Sequence, residues 1–210
     1  THLIRRHGER QILLALNMFR ESWKQCFYGE SFSYLEMEDN IRTVCSVLSQ
    51  YKNVCLIVKL HPRDQNFPSY EEMLSCLREE YPGLNMSLLQ RYNIFDLIKQ
   101  SDVVLTLGST VVVDAVFLGK PTAVLDFFDH QSVYTCFDRS IVPRLKHERE
   151  LKEWMDLLFF RNPRSLLTDE ALKPLLYKRD GAAGKRLVDF LKSLLIEKQT
   201  VELVHHVGNI

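Results

Sequence analysis

The chain has 210 residues, 27 Lys+Arg against 27 Asp+Glu, and 46% hydrophobic side chains. That length fits one domain with a small appendage, and the hydrophobic share excludes a disordered or fibrous chain. A net charge of zero argues against nucleic acid or an anionic membrane as the partner of the whole surface, because both are met by an excess of Lys and Arg. Any anion site must therefore be local. The first 138 residues lean slightly acidic and the remainder slightly basic.

Five cysteines (Cys26, Cys45, Cys55, Cys76, Cys136) form no CxxC pair and read as small hydrophobes in a reducing compartment. No apolar run approaches the roughly 20 residues that span a bilayer, and the first ten residues lack a signal-peptide core. The expected setting is the cytoplasm. His205-His206 has no ligand partners at suitable spacing, and no structural metal is expected.

Apolar runs alternate with helical patterns. Gln11 to Leu16 (QILLAL) is a short apolar run, followed by a polar loop and an amphipathic segment near Glu38 to Gln50. Val54 to Leu60 is a β-branched strand that stops at His61-Pro62, where proline disfavours helix for the residue before it. Ser69 to Glu80 reads as a helix with Ser69 as N-cap and Glu72 at capping-box spacing. Leu84 to Leu89 can form a short strand, and Asn93 caps a short helix to Gln100. Asp102 to Leu107 is a buried strand, Ser109 to Leu118 a helix closed by Gly119-Lys120-Pro121, and Thr122 to Phe127 the next strand. Strands separated by helices of this length imply parallel pairing, right-handed crossovers and helices on both faces of one sheet.

The expected fold is therefore a doubly wound, Rossmann-like α/β domain over 1–138. Beyond 139 the pattern turns helical, near Glu148 to Phe160, Asp169 to Tyr177 and Gly184 to Glu197. Residues 139–198 are read as helices packed on the core and 199–210 as a tail.

In open parallel sheets a ligand sits beyond the carboxyl ends of the strands, near the point where strand order reverses. Four loops leave those ends: Asn17-Met18-Phe19-Arg20-Glu21, His61-Pro62-Arg63-Asp64, Gly108-Ser109-Thr110 and Phe128-Asp129-His130. Gly108 lets the backbone approach a ligand, and the following helix start offers N–H groups suited to phosphate. Ser109 and Thr110 add hydroxyl donors, although Ser109 also reads as a plain N-cap. Asp114 is odd in a Val-rich helix and either orients a neighbouring hydroxyl or meets solvent.

His61 could donate to a phosphate oxygen or act as a general acid toward a leaving phosphate, or it could bond only to loop backbone. Arg20 and Arg63 could clamp a diphosphate or be solvated loop arginines. The sequence holds no GxGxxG, GxxxxGK[ST], GxSxG or HExxH. Support is thereby lost for a dinucleotide dehydrogenase, a P-loop NTPase, an α/β-hydrolase and a zinc protease.

Four stretches in order, QILLALNMFRE, VCLIVKLHPRD, SDVVLTLGSTVVVDAVFLGKP and RDGAAGKR, resemble the C-terminal domain of GT-B glycosyltransferases. The resemblance is greatest to the group of CDP-glycerol glycerophosphotransferases, capsule polysaccharide transferases and bacterial polysialyltransferases, and it spans about residues 10 to 195. It implies a domain that holds a nucleotide-activated donor (CDP-, CMP- or UDP-linked) with no other cofactor, and His61, Ser109 and Thr110 as phosphate contacts, with Arg20 as an addition. His61 would support departure of the nucleotide.

Two departures stand out: Gly108 replaces a bulkier residue, and Asn17-Met18 replaces the usual Pro-Thr. A GT-B enzyme needs two such domains facing a cleft, so the chain is expected to be part of a larger transferase of cell-surface polysaccharide. The N-terminal domain, a polysaccharide or lipid-linked acceptor and the inner face of the cell membrane would be its partners, and nucleic acid would not. Two alternatives stay open, a UDP-sugar 2-epimerase-like enzyme of the same superfold and a non-catalytic α/β interaction module.

Overall fold

A computed structural model gives the fold and describes residues 8–17, 34–128, 142–161, 173, 178 and 180–207. Its backbone alternates β1 (Arg10–Ala15), α1 (Tyr34–Leu48), β2 (Val54–Lys59), α2 (Phe67–Glu80), β3 (Asn85–Leu89), α3 (Ile94–Gln100), β4 (Val103–Thr106), α4 (Val111–Phe117) and β5 (Thr122–Leu125). Beyond these come β6 (Arg144–Leu145), α5 (Glu148–Asp156), a π turn over Leu157–Arg161 and α6 (Ala183–Val207). The chain divides into two compact units, Thr1–Thr168 and Asp169–Ile210.

In the first unit the six strands form one sheet in the order β3-β2-β1-β4-β5-β6, and every neighbouring pair is parallel. The doubly wound reading of the sequence holds. β1 and β4 lie side by side although α1, β2, α2, β3 and α3 separate them in sequence. Their junction is the topological switch point, where successive connections leave in opposite directions and open a crevice at the carboxyl edge. The junction is pinned from its amino end as well: the Gln11 N–H donates to the Asp102 carboxylate (2.8 Å) and the Gln11 amide to Ser101 Oγ (3.1 Å).

The strands are buried on both faces, which is why they read as continuous apolar runs rather than as alternating patterns. One face carries Ile12, Leu14, Leu56, Val58, Leu105 and Leu125 against side chains of α1, α2 and α5. The other carries Leu13, Ile57 and Val104 against Leu97 and Ile98 of α3 and Ala115 of α4. At about 25 cal/mol per Å² of apolar surface removed from water, this double burial supplies most of the driving force that holds the sheet together.

Three local readings change. α2 begins at Phe67, with Asn66 as N-cap and no side-chain cap bond, so Ser69 lies inside the helix. Pro68 explains the shift, since its fixed φ and missing N–H suit the first helical turn. The sheet gains β6 beyond residue 139, too short to leave a sequence signal, and a salt bridge from Arg144 to the buried Asp126 (2.7 Å) ties it to the end of β5. The helix read as ending near Glu197 runs on to Val207, so the stretch read as a tail from 199 is helical that far. The helix expected over Asp169 to Tyr177 lies outside the described residues except for Lys173, which is helical.

Other local expectations hold. Asn93 caps α3, its side chain accepting from the N–H groups of Phe95 (2.9 Å) and Asp96 (3.4 Å). α4 closes on Gly119 with φ 70°. The Gly119 N–H reaches the Val116 carbonyl and the Lys120 N–H the Ala115 carbonyl, the paired closure that a left-handed glycine permits.

Candidate functional site

All four loops named from the sequence enter the described residues at the carboxyl edge of the sheet, the first only through Asn17 and the fourth only through Phe128. β4 ends at Thr106, and the chain turns through Gly108, whose φ of 90° is open to glycine at little cost. The Thr106 hydroxyl accepts from the Ser109 N–H (3.0 Å) and closes the turn on itself. Ser109 Oγ in turn accepts from the Val111 N–H (3.4 Å), so the capping role open to Ser109 is partly realised, while its own O–H remains a donor. Thr110 is exposed and makes no side-chain cap bond. Gly108 is buried, Ser109 half-buried, and the two hydroxyl-bearing residues stand where α4 starts.

β2 hands over to a tight turn. The Asp64 N–H donates to the His61 carbonyl (3.0 Å), and the Arg63 N–H donates to His61 Nδ1 (3.2 Å). A ring accepting at Nδ1 carries its proton, when neutral, on Nε2. The turn is braced from below: the buried Asp64 carboxylate accepts from the Asn66 N–H (2.9 Å), and the Gln90 amide donates to the Asp64 carbonyl. Arg63 is exposed, and its guanidinium has no ion pair among the described residues.

β1 hands over at Leu16 and Asn17. The Asn17 side-chain amide donates to the Leu107 carbonyl (3.0 Å), binding the loop after β1 to the loop after β4 across the switch point. The sequence marked Asn17 only as part of the first loop and as a departure from the usual Pro-Thr, because its partner lies 90 positions away. Arg20, together with Asp129 and His130 of the fourth loop, lies outside the described residues.

His61, Arg63, Gly108, Ser109 and Thr110 thus share one edge of the sheet, on the strands that flank β1. Asp114, one turn into α4, is half-buried, and burial holds its carboxyl above the ordinary aspartate range. Among the described residues no group of His, Cys, Asp and Glu could hold a metal ion, and no helix is long and apolar enough to cross a membrane.

A parallel sheet in the order 3-2-1-4-5-6 with a glycine turn at the switch point is a Rossmann-like, doubly wound fold. The family model described as "Capsule polysaccharide biosynthesis protein" matches residues 38–131, a span that includes the His61 and Gly108 turns and leaves out Arg20.

Among solved structures, the chain is similar to UDP-GlcNAc 2-epimerase from Neisseria meningitidis bound to UDP-GlcNAc, at 16% identity and a TM-score of 0.58 over 90% of this chain and 45% of that one. It is similar to MnaA of S. aureus in complex with UDP, at 17% identity and a TM-score of 0.57 over 90% and 46%. It is also similar to a variant of the wall teichoic acid polymerase TagF, at 16% identity and a TM-score of 0.56 over 94% and 46%. No curated protein matches the chain by sequence. The chain spans less than half the length of each of these three structures. The resemblance to the GT-B group read from the sequence motifs is borne out by the family match and the shared fold.

Proposed function

We propose that this chain is the donor-binding half of a glycosyltransferase-like enzyme that moves a sugar or glycerol-phosphate unit from a nucleotide-activated donor during cell-surface polysaccharide synthesis. The observation that carries this reading is the pairing of two built turns, one at Gly108-Ser109 and one at His61, on one carboxyl edge beside the switch point. Both lie within the residues matched by the capsule polysaccharide family. Two of the structures with this fold are described with UDP-GlcNAc or UDP bound, which supports a nucleotide diphosphate as the ligand class.

The chemistry follows from the groups present. Hydroxyls of Ser109 and Thr110 offer hydrogen bonds to phosphate oxygens, whereas the Val111, Val112 and Val113 N–H groups at the start of α4 are spent on Ser109 and Thr110, and the exposed Arg63 adds a positive charge. His61, carrying its proton on Nε2, is suited to stabilise or protonate the phosphate that departs when the transferred group leaves. The acceptor and a base to activate it belong to the rest of the enzyme. Arg20 stays in this proposal as a further phosphate contact.

The test is a calorimetric titration of the chain with UDP, CDP and CMP, repeated for His61→Ala and for Ser109→Ala combined with Thr110→Ala. Weakened binding by folded variants supports the assignment, and unchanged affinity in both removes these residues from the site. The epimerase-like alternative is favoured by one specific observation, the fold shared with the UDP-GlcNAc 2-epimerase from Neisseria meningitidis. It predicts the same nucleotide binding, and full-length protein turned over with UDP-GlcNAc alone separates the two readings.

A further inference from the structure

Lys59, the last residue of β2, is 4% exposed. Its ammonium donates to the carbonyl of the next residue, Leu60 (2.6 Å), which places the charge at the carboxyl end of the strand. No carboxylate pairs with it among the described residues. A buried ammonium carries three donors and a large desolvation cost, and proteins normally meet both with an anion.

The sheet register shows where an anion would come from. Leu13, Ile57 and Val104 line the face covered by α3 and α4. Two residues further along each strand, on that same face, stand Ala15, Lys59 and Thr106. Ala15 is paired with Lys59 on one side and with Thr106 on the other. The three make a single cross-strand row at the carboxyl edge, spanning the switch point. Thr106 is the residue whose hydroxyl closes the Gly108-Ser109 turn. The backbones of Lys59 and Thr106 are two strand spacings apart, about 10 Å, and the side chain between them is a methyl group. A long side chain at 59 is therefore not screened from the crevice by a bulky neighbour, as it would be with leucine at 15.

We propose that Lys59 is the fixed counter-charge for the phosphate group bound at the switch point, a binding residue set under the crevice beside the more exposed His61 and Arg63. The inference rests on the nucleotide-binding reading given above. A bound diphosphate gives the buried ammonium an anionic partner, so binding recovers energy that folding alone forgoes. Burial makes the pair strong, because little water screens it, and β2 makes it rigid.

The experiment compares the wild-type chain with Lys59→Met, which keeps the length and removes the charge, by calorimetry with UDP and CDP and with the parent nucleosides. The proposal expects affinity for the diphosphates to fall about ten- to hundred-fold, the range for a lost charged hydrogen bond, with affinity for uridine and cytidine unchanged. The melting temperature of Lys59→Met should be equal to or above that of the wild type, since a buried unpaired charge is gone. A folded Lys59→Met that binds UDP as the wild type does overturns the lysine's role and leaves the nucleotide reading standing. A lowered melting temperature with diphosphate and nucleoside binding lost together marks a structural lysine and also overturns it. A wild-type chain that binds no nucleotide removes the reading of the site and this inference with it.

Discussion

The side-chain amide of Asn17 donates to the backbone carbonyl of Leu107 over 3.0 Å and so joins the two loops that diverge from the switch point. Leu107 immediately precedes Gly108, and the bond fixes the height of the glycine turn relative to the end of β1. Replacing Asn17 by Ala removes the donor and should cost about 1 kcal/mol of stability, the usual net worth of such a bond. It should also weaken nucleotide binding through misplacement of the turn. Chemical denaturation and calorimetry on the one variant check both effects, and asparagine's loss with unchanged affinity would confine the bond to a structural role.

Gly108 holds φ at 90° between a buried strand and α4. An L side chain there is strained, so Gly108→Ala is expected to destabilise the chain by about 1 to 2 kcal/mol. The same change should reduce nucleotide affinity more than Gly83→Ala does. Gly83 lies in a surface turn where an added Cβ meets nothing within 4 Å, so it serves as the control in a thermal melt.

Burial raises the Asp114 carboxyl pKa above its ordinary value. A carboxyl whose folded pKa is raised holds more protons in the folded state than in the unfolded one. Its charged form therefore weakens the fold at pH above that raised pKa, and the penalty fades as pH falls toward the unfolded value near 3.9. Asp114→Asn should accordingly be more stable than the wild type at pH 7, with the difference shrinking on acidification. Urea denaturation at pH 7, 5.5 and 4.5 reads the trend, and a difference independent of pH would contradict it.

Burial also pushes the Cys45 thiol up to about 12, and Cys55 is buried, whereas Cys76 is exposed. The thiolate is the reactive form. Alkylation of the native chain followed by peptide mapping should modify Cys76 readily and reach Cys45 and Cys55 only after unfolding. Labelling of Cys45 at the rate of Cys76 would show that α1 opens locally.

What could be read from the sequence was whatever local pattern dictates. β1, β2, β4 and β5 fell within about two residues of their expected bounds because each is a β-branched or leucine-rich run buried on both faces. Asn93 and Gly119 announced the ends of α3 and α4, since a cap and a left-handed closure each act within a few residues. The start of α2 was misplaced because Ser69 and Glu72 imitate a capping box, while Pro68 actually opens the helix.

The site was half legible. His61, Gly108 and Ser109 stood out as residues at strand ends, but Asn17 found its meaning only through Leu107, and Lys59 only through its register with Ala15 and Thr106. Such relations depend on which strands are neighbours, and periodicity along one chain carries no information about that.

The central claim, that the edge formed by the His61 and Gly108 turns holds a nucleotide diphosphate, is tested most directly by titrating the chain with UDP and CDP in a calorimeter. The account predicts saturable binding that is stronger for the diphosphates than for uridine or cytidine and that weakens as salt is raised. Absence of heat for every nucleotide at millimolar concentration, with the chain shown to be folded, would contradict it.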